Sequence, residues 1–358
     1  MTAPVLHVRG VLLPSSEPVD LWLADGVVHT EPVPGAETVH TGGWIVPGLV
    51  DAHCHLGLGA GGAVDEETTL DQATTDRDAG TLLVRDAGSP SDTRWIQGRD
   101  DLPRLIRAGR HIARPRRYIR NFAVEVEPDD LVDTVAEQAR AGDGWVKLVG
   151  DWIDREVGDL APLWPADIAA EAIARAHELG AKVTAHCFGE RSVAELVRAG
   201  IDGIEHGTGL DRDTIDLMAQ RQVALVPTMI NLATFPEIAA SGQEKFPTYA
   251  AHMRDLHARH HDTLRAAVDA GVPVYAGTDA GGTIKHGRIA DEIVALADLA
   301  GAEFALGAAS WRARDWLGVP GIAPGESADL ICYDANPLTD PAVTAHPARV
   351  ILRGTVIA

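Results

Sequence analysis

The stretch 44-WIVPGLVDAHCHLG-57 sets an apolar, strand-forming run directly before two histidines that are one residue apart. In a strand, residues i and i+2 share a face, so His53 and His55 point the same way and Cys54 points the opposite way. An isolated pair of this kind has two interpretations: metal ligands, or histidines satisfied by ordinary hydrogen bonds. The rest of the chain decides between them.

Composition restricts the class of protein. The chain has 358 residues, 46% hydrophobic and 23% charged, which is typical of a folded protein. Its net charge of -21 opposes binding to nucleic acid and to anionic lipid surfaces. No stretch has the length of a membrane span, the amino terminus does not resemble a signal peptide, and three scattered cysteines make no disulfide framework. We therefore expect a cytoplasmic protein with a small-molecule substrate and no nucleic-acid or membrane partner.

The order of apolar segments predicts the fold class. Between residues 46 and 324, eight short strand-like runs alternate with amphipathic helical stretches, from IVPGLVDAH at 45–53 to VPVYAGTDAG at 272–281. Eight βα units of this size match a (β/α)8 barrel, with residues 44–50 as its first strand and the entrance to it from a small β domain. An open doubly wound sheet is the rival, but no glycine-rich phosphate loop follows the first strand.

The two ends of the chain are both rich in predicted strands. We expect residues 1–45 and 325–358 to pair as one small β-sandwich domain that the barrel, residues 46–324, divides in sequence. The complete fold class predicted is therefore α/β, a barrel with a composite β domain.

Polar residues recur near the carboxyl ends of four later strands. They are Lys147 in VKL, His186 in TAHCFG, His206 in IEHGTG and Asp279 in AGTDAG. On a barrel these ends converge on the face where active sites lie. Imidazole and carboxylate are ordinary ligands of zinc and similar ions. An ammonium repels a cation, whereas a carbamate formed from Lys147 and CO2 is an anion that can bridge two metals.

These motifs, in this order, resemble the amidohydrolase superfamily, specifically its imidazolonepropionase-like and prolidase-like branch. The resemblance covers essentially the whole chain, including the tail APGESADLICYDANPL at 323–338. It implies one metal held by His53, His55 and Asp279, a second held by His186 and His206, and a bridging carbamate on Lys147. Zinc is the expected ion at both positions, and a homo-oligomer is the common form of such enzymes.

The resemblance also implies a reaction. A hydroxide that bridges the two metals would attack the carbonyl of an amide-type carbon–nitrogen bond, peptide bonds included. Asp279 would take the proton and deliver it to the departing nitrogen, while Lys147 would act through its carbamate. The expected substrate is small, an N-acyl amino acid or a dipeptide-like compound.

The loops depart from the prolidase pattern. Such relatives carry a tyrosine two residues after the fifth-strand histidine and a Gly-Gly-His loop after the third strand. Here Phe188 takes the tyrosine position, and in GRHIARPRRYIRNF, residues 109–122, Tyr118 stands about where the loop histidine is expected. We hypothesise that the Tyr118 hydroxyl acts on the oxyanion side, with loop capping as the equal alternative. Arg120 and His286 are further candidates for substrate binding, against the alternative of a solvated surface.

Two other functions stay open. An imidazolone or cyclic amide hydrolase, or a lactonase, of the same superfamily would be a near relative, but one-metal members do not use a bridging lysine. A catalytically silent metal-binding scaffold typically loses ligands, and none of the six is missing here. The four histidines of AAHMRDLHARHHD, residues 250–262, are interpreted as a solvated helix.

Overall fold

A computed structural model of the chain describes residues 4–358, so the first three residues of the predicted 1–45 segment lie outside the described residues. The strands are β1 Leu6–Leu12, β2 Glu17–Ala24, β3 Val27–His29, β4 Glu37–Pro47, β5 Leu49–Gly59, β6 Gly62–Ala63, β7 Thr81–Asp86, β8 Arg104–Arg107, β9 Ile112–Ala113, β10 Val124–Glu125, β11 Trp145–Val149, β12 Asp151–Asp154, β13 Asp159–Pro162, β14 Lys182–Cys187, β15 Gly203–His206, β16 Ala224–Val226, β17 Ala280–Gly282, β18 Leu330–Tyr333, β19 Arg349–Leu352 and β20 Thr355–Val356. The helices are α1 Glu66–Asp78, α2 Leu131–Ala141, α3 Ala166–Glu178, α4 Glu190–Ala199, α5 Arg212–Arg221, α6 Met229–Leu232, α7 Phe235–Gly242, α8 Pro247–Asp269, α9 Ile289–Ala300, α10 Ala302–Ala308 and α11 Trp311–Trp316. The fold is therefore mixed α/β, as expected.

Both ends of the chain contribute to one seven-stranded sheet, in the order β20-β19-β18-β4-β1-β2-β3. Strand β4 pairs in parallel with β1 and antiparallel with β18, so the first and last segments are hydrogen-bonded neighbours. The sheet curls until β3 meets the residues before β18, where the Val28 amide donates to the Glu326 carbonyl at 2.9 Å. Its apolar core contains Leu6, Val8, Leu21, Leu23, Val28, Ile45, Ala328, Leu330, Cys332 and Ile351. The expected pairing of the two chain ends is thus present as a single curled sheet.

The passage from this sheet to the centre of the molecule occurs at Gly48. Residues up to Pro47 belong to β4, and β5 begins at Leu49. A Cβ atom on residue 48 would lie 2.7 Å from the Leu82 side chain, which leaves room for glycine alone. The segment 44–50, predicted as the first central strand and its entrance from the small β domain, therefore contains the end of β4 and the start of β5, and the chain changes sheets between them.

Two sets of mainly parallel strands form the centre, in the orders β17-β5-β7-β8 and β10-β9-β11-β14-β15-β16. They meet along residues 273–276, where the Tyr275 amide donates to the Leu225 carbonyl at 3.0 Å and the Ala52 amide donates to the Ala276 carbonyl at 2.8 Å. The eighth predicted strand, residues 272–281, makes these backbone hydrogen bonds, but it forms regular strand structure only from Ala280. The carboxyl ends of the parallel strands consequently face the same side of the molecule.

The helices pack on these strands through amphipathic faces. Helix α3 buries Ala169, Ala172, Ile173 and Ala176, which share one face because they follow the helical repeat. Helix α5 is capped at its amino end by Asp211, whose carboxylate accepts a hydrogen bond from the Thr214 amide at 2.8 Å. Among residues 4–358, no helix combines the length and the apolar character needed to cross a membrane.

The hairpin of β12 and β13 is tied to α8 by ionic contacts. His252 of α8 lies 2.9 Å from an Asp159 oxygen through Nδ1 and 3.0 Å from a Glu190 oxygen through Nε2. Arg259 also pairs with Glu190. The predicted helix over residues 250–262 is confirmed as part of α8, but its His252 side chain faces the hairpin and is only 21% exposed.

This contact predicts a pH-dependent stability. Hydrogen bonding to Glu190, against a smaller opposing effect of burial, raises the pKa of His252 to about 9. A raised pKa means that the stabilisation is complete below the unfolded value near 6.5 and is lost as the pH rises through about 9. Because Glu190 is partly exposed, we expect the loss to be only about 0.5–1 kcal/mol. The free energy of unfolding, measured with urea near pH 6 and above pH 9, should fall by this amount in the wild type and not in His252→Gln. An equal fall in both proteins would contradict the prediction.

Candidate metal centre

The two histidines of β5 converge on one side of the middle of the strand. All but the last residue of β5 are buried, and the alternation of the strand directs both imidazoles to one side. The Nε2 atoms of His53 and His55 lie 3.1 Å apart. The face predicted from the sequence is therefore the face that the structure shows.

The hydrogen bonds of these imidazoles fix their tautomers. His53 Nδ1 lies 2.7 Å from a Glu205 carboxylate oxygen, and His55 Nδ1 lies 2.7 Å from the Gly88 carbonyl oxygen. A carbonyl and a carboxylate accept, so each Nδ1 carries a proton and each Nε2 is the nitrogen turned toward the other ring. Burial lowers the pKa of His55 to about 4, which keeps its ring neutral at pH 7. Burial and the charge of Lys147 lower the pKa of His53, but the charges of Glu205 and Asp279 outweigh them and raise it. A cation bound at this point would take the place of the proton on His53 Nε2.

Asp279 completes this group. One of its oxygens lies 3.2 Å from His53 Nε2 and 3.1 Å from His55 Nε2, and the other accepts a hydrogen bond from Asn231 Nδ2 at 2.7 Å. Its backbone has a φ of 58°, a left-handed conformation that is uncommon outside glycine and is often found at functional sites. The donor set of two imidazoles and one carboxylate fits a zinc-type ion.

A second pair of imidazoles lies beside the first. His186 Nδ1 and His206 Nε2 are 3.0 Å apart, and His206 also has a left-handed φ, of 69°. Donor atoms of His53, His206 and Asp279 all lie within 4.8 Å of one another. Burial lowers the pKa of His206 to about 3, so this imidazole is neutral as well. The two groups therefore adjoin, as a two-metal site requires.

Lys147 reaches the same point from β11. Its Nζ atom lies 3.3 Å from His53 Nε2, and the side chain is buried. Burial lowers the pKa of the Lys147 amine, although the charges of Glu205 and Asp279 oppose that effect. A lowered pKa increases the neutral amine, the form that reacts with CO2. The structure thus brings together all six residues that the sequence indicated as metal ligands.

An outer layer of polar residues orients these groups; sequence reasoning placed Arg85 near the site, in an ion pair or in contact with substrate, but missed Glu205 and Thr184. Glu205 accepts from His53 and also from Arg85 Nη2, at 2.6 Å, and from the Thr184 hydroxyl. The Arg85 guanidinium lies over two indole rings, 4.7 Å from the centroid of Trp145 and 5.2 Å from that of Trp316. Such partners fix the ring orientation and the basicity of metal-binding histidines.

A cavity of about 460 Å³ opens above the six residues. Its apolar and aromatic lining consists of Leu58, Ala60, Tyr118, Ile119, Phe122, Trp152, Phe188, Ile238, Tyr249 and Ile284. Polar groups enter it at His55, His111, His186, Asn231, Thr234, Glu237, Ser241, Asp279 and Thr283. An apolar cavity with a few convergent polar groups is the usual form of a small-molecule site.

Tyr118 and His111 are neighbours in one wall of this cavity. Their ring centroids are 5.7 Å apart, and the Tyr118 ring also stands edge-on to His186 at 5.6 Å. The His111 ring is buried 4.8 Å from that of His55, and neither of its nitrogens has a hydrogen-bond partner among the described residues. Tyr118 was expected about where the loop histidine stands in prolidase-type relatives. The structure brings both side chains to the cavity wall. His111 was missed, and Gly109-Arg110-His111 is the sequence signal that would have identified it.

The structure does not bring Arg120 or His286 into this cavity. Arg120 is exposed and lines a separate surface groove with Arg110 and Glu125. His286 lies on the other face of β5, where its Nδ1 atom is 2.8 Å from an Asp76 oxygen. Both residues follow a site residue closely in the sequence, and that proximity does not determine the direction of a loop side chain.

Comparison with known proteins gives the following relatives. The sequence model of the Amidohydrolase family matches residues 44–357. An uncharacterized protein of Mycobacterium tuberculosis is 60% identical over 352 residues, which are 98% of this chain and 95% of that protein. The ochratoxinase of Aspergillus niger is 27% identical over 175 residues, 47% of this chain and 35% of that protein.

Solved structures share the fold. A Xaa-Pro dipeptidase with bound methionine in its active site has a TM-score of 0.83 at 21% identity, with 98% of this chain and 99% of that chain covered. The A. niger ochratoxinase has a TM-score of 0.78 at 18% identity, with 99% of this chain and 96% of that chain covered. At these identities the likeness shows the fold alone.

Proposed function

Because this chain belongs to the amidohydrolase family, we propose that it is a metal-dependent hydrolase that cleaves an amide-type carbon–nitrogen bond of a small, mainly apolar substrate. The observation that supports this most directly is the convergence of His53 Nε2, His55 Nε2 and one Asp279 oxygen, which lie 3.1–3.2 Å from one another, as ligands of one cation do. The apolar cavity above them supports a small organic substrate.

The proposed metal site follows from the donor atoms described above. His53, His55 and Asp279 would hold one divalent ion, His186 and His206 a second, and a carboxylated Lys147 would bridge them, with zinc as the proposed ion. Such ions, when bound, polarise the substrate carbonyl and make water reactive at neutral pH.

The protein's own groups would then carry the proton transfers. Asp279 accepts the proton of the attacking water and delivers it to the leaving nitrogen, as a general base that becomes a general acid. The Asn231 amide holds the carboxylate in place through the bond at 2.7 Å. His111 and Tyr118 lie on the wall of the cavity from which the carbonyl oxygen can be stabilised.

The lining indicates which substrates fit. Trp152, Phe188 and Tyr249 offer aromatic contacts, whereas Glu237 opposes an acidic substituent. The relatives include proteins named Xaa-Pro dipeptidase and ochratoxinase. We therefore propose N-acyl amino acids or dipeptide-like amides with apolar or aromatic side chains.

A substrate screen of the metal-loaded protein tests the proposal. N-acyl amino acids and dipeptides with aromatic, aliphatic and acidic side chains are compared with lactones and cyclic amides, using chelator-treated protein as the control. We expect turnover of the aromatic and aliphatic amides that the chelator abolishes and that added zinc restores. Turnover of lactones or cyclic amides alone would favour that branch of the superfamily, and bound metal without any turnover would favour a silent scaffold.

Replacing Tyr118 with phenylalanine tests the role of its hydroxyl. If the hydroxyl donates to the developing oxyanion, the variant should lose about 2–4 kcal/mol of transition-state stabilisation. The measurement is kcat/KM on the best amide, with KM determined separately because lost packing would change KM instead. Unchanged turnover would show that Tyr118 only shapes the cavity wall.

The finer architecture is part of the proposal. We propose that the parallel strands, joined along residues 273–276, close into the eight-stranded barrel and that the curled terminal sheet is its small β-sandwich domain. The domain bounds 1–45 with 325–358 and 46–324, the homo-oligomeric state and the cytoplasmic location stay predictions.

A further inference from the structure

A second cluster of metal-binding residue types lies on the opposite face of β5 from the candidate metal centre. Cys54 stands between the two histidines of that strand and points away from them. Asp76 belongs to the last turn of α1, and His286 to the loop between β17 and α9. Three elements distant in sequence therefore bring a thiol, a carboxylate and an imidazole together.

The three donor atoms converge on one point. Cys54 Sγ lies 3.6 Å from Asp76 Oδ2 and 3.7 Å from His286 Nδ1, and these last two atoms are 2.8 Å apart. A tetrahedral ion with zinc–sulfur near 2.3 Å and zinc–nitrogen near 2.0 Å would separate sulfur and nitrogen by about 3.6 Å. The two distances from sulfur have this size, and a small opening of the carboxylate–imidazole pair admits the ion.

The arrangement does not match a nucleophilic triad. In such a triad the thiol and the carboxylate contact different nitrogens of the imidazole, so that the ring relays a proton between them. Here both groups face Nδ1. The other ring nitrogen, Nε2, is buried and has no hydrogen-bond partner among the described residues. Binding of one ion by all three residues explains why the thiol and the carboxylate both lie beside Nδ1 of the ring.

Burial and charge favour a cation. Cys54 and Asp76 are buried, and the His286 side chain is 8% exposed. Two further buried carboxyl groups, those of Asp51 and Asp86, act on Cys54 electrostatically. A buried acidic environment of this kind attracts positive charge.

We propose that Cys54, Asp76 and His286 bind one divalent cation of the zinc type, separate from the candidate metal centre. A thiolate, an imidazole and a carboxylate are ligands that zinc accepts together. The ion would join β5 and α1 to the loop after Asp279. Its role would be structural, on the face of β5 opposite the candidate metal centre. This site does not depend on the reaction proposed above.

Cobalt spectroscopy of the full-length protein tests the proposal. The metal-free protein is titrated with Co2+, and the near-ultraviolet absorption of a thiolate-to-cobalt charge transfer is recorded. The candidate metal centre offers nitrogen and oxygen donors, so this absorption reports a thiolate ligand. We expect it in the wild type and in Cys332→Ser, a matched control whose thiol is buried in the terminal sheet. We expect its loss in Cys54→Ser and in His286→Ala, with one metal equivalent fewer by elemental analysis.

The wild-type spectrum is decisive by itself, whatever the folding of the variants. Absence of the charge-transfer band at saturating cobalt would overturn the proposal. Persistence of the band in folded Cys54→Ser, checked by circular dichroism, would overturn it as well, since another thiol would then be the ligand. Neither result requires turnover, so a failure here is distinguishable from a failure of the proposed hydrolase activity.

Discussion

Replacing Asp279 with asparagine is expected to lower kcat/KM by about 10⁴-fold, the upper end of what a general acid–base group contributes. The substitution removes the proton acceptor and also the negative charge that faces His53 and His55 at 3.2 and 3.1 Å. The size of the side chain and the position of Asn231 are preserved, so the loss is chemical. Steady-state kinetics on the best amide, after equal metal loading, measures it.

The control for this variant is Asp291→Asn. Asp291 is an exposed carboxylate in the first turn of α9, paired with Arg288, and its removal should leave turnover unchanged. Elemental analysis of both variants shows how far the loss reflects weaker metal binding. Turnover of the Asp279 variant close to that of the wild type would refute the proposed mechanism.

Replacing Lys147 with methionine is expected to have an effect of similar size. Methionine fits the buried space of the lysine stem but cannot become a carbamate, so the metal-to-protein ratio should fall below that of the wild type. Because such ions supply several kcal/mol of transition-state stabilisation, we expect a loss of about 5 kcal/mol, or about 10⁴-fold in kcat/KM. Metal analysis and kinetics on the same preparation measure both quantities.

Bicarbonate distinguishes the carbamate from a plain amine. Metal-free wild-type protein reloaded with zinc should recover activity faster when bicarbonate is present, and Lys147→Met should not respond. The control is Lys245→Met, because Lys245 is exposed and lies outside the cavity lining. Recovery that is independent of bicarbonate would contradict carboxylation of Lys147, and full activity of the Lys147 variant would contradict the bridging role.

The strands of the centre could be predicted because each buries an apolar run before a polar end. β5, β11 and β14 are recognisable in this way, since local sequence dictates both their burial and their alternation. The position of the change of sheets, at Gly48, could not be predicted because it depends on the Leu82 side chain, 34 positions away in the sequence and 2.7 Å from where a Cβ would lie. Contacts between distant segments leave no periodic signal.

The metal-ligand candidates could be predicted from the sequence, but the residues that hydrogen-bond to them could not. His53, His55 and Asp279 were identified from motifs at strand ends, and the match to the family confirms the resemblance that those motifs carried. Glu205 was missed because strict alternation assigns it and His206 to opposite faces. The left-handed φ of His206 breaks that alternation, so both side chains reach the site. Asn231 was missed because it contacts Asp279 from a separate segment.

The composite terminal sheet has a consequence for the order of synthesis. Strands β1 to β4 leave the ribosome first, but β18, the partner of β4, comes roughly 280 residues later, which is about 15–60 s at ordinary elongation rates. During that interval the edge of β4 that will pair with β18 carries unpaired amides and carbonyls, a template for non-native association. We therefore expect the nascent chain to depend on chaperones until its last strands are made, and carboxyl-terminal truncations to aggregate.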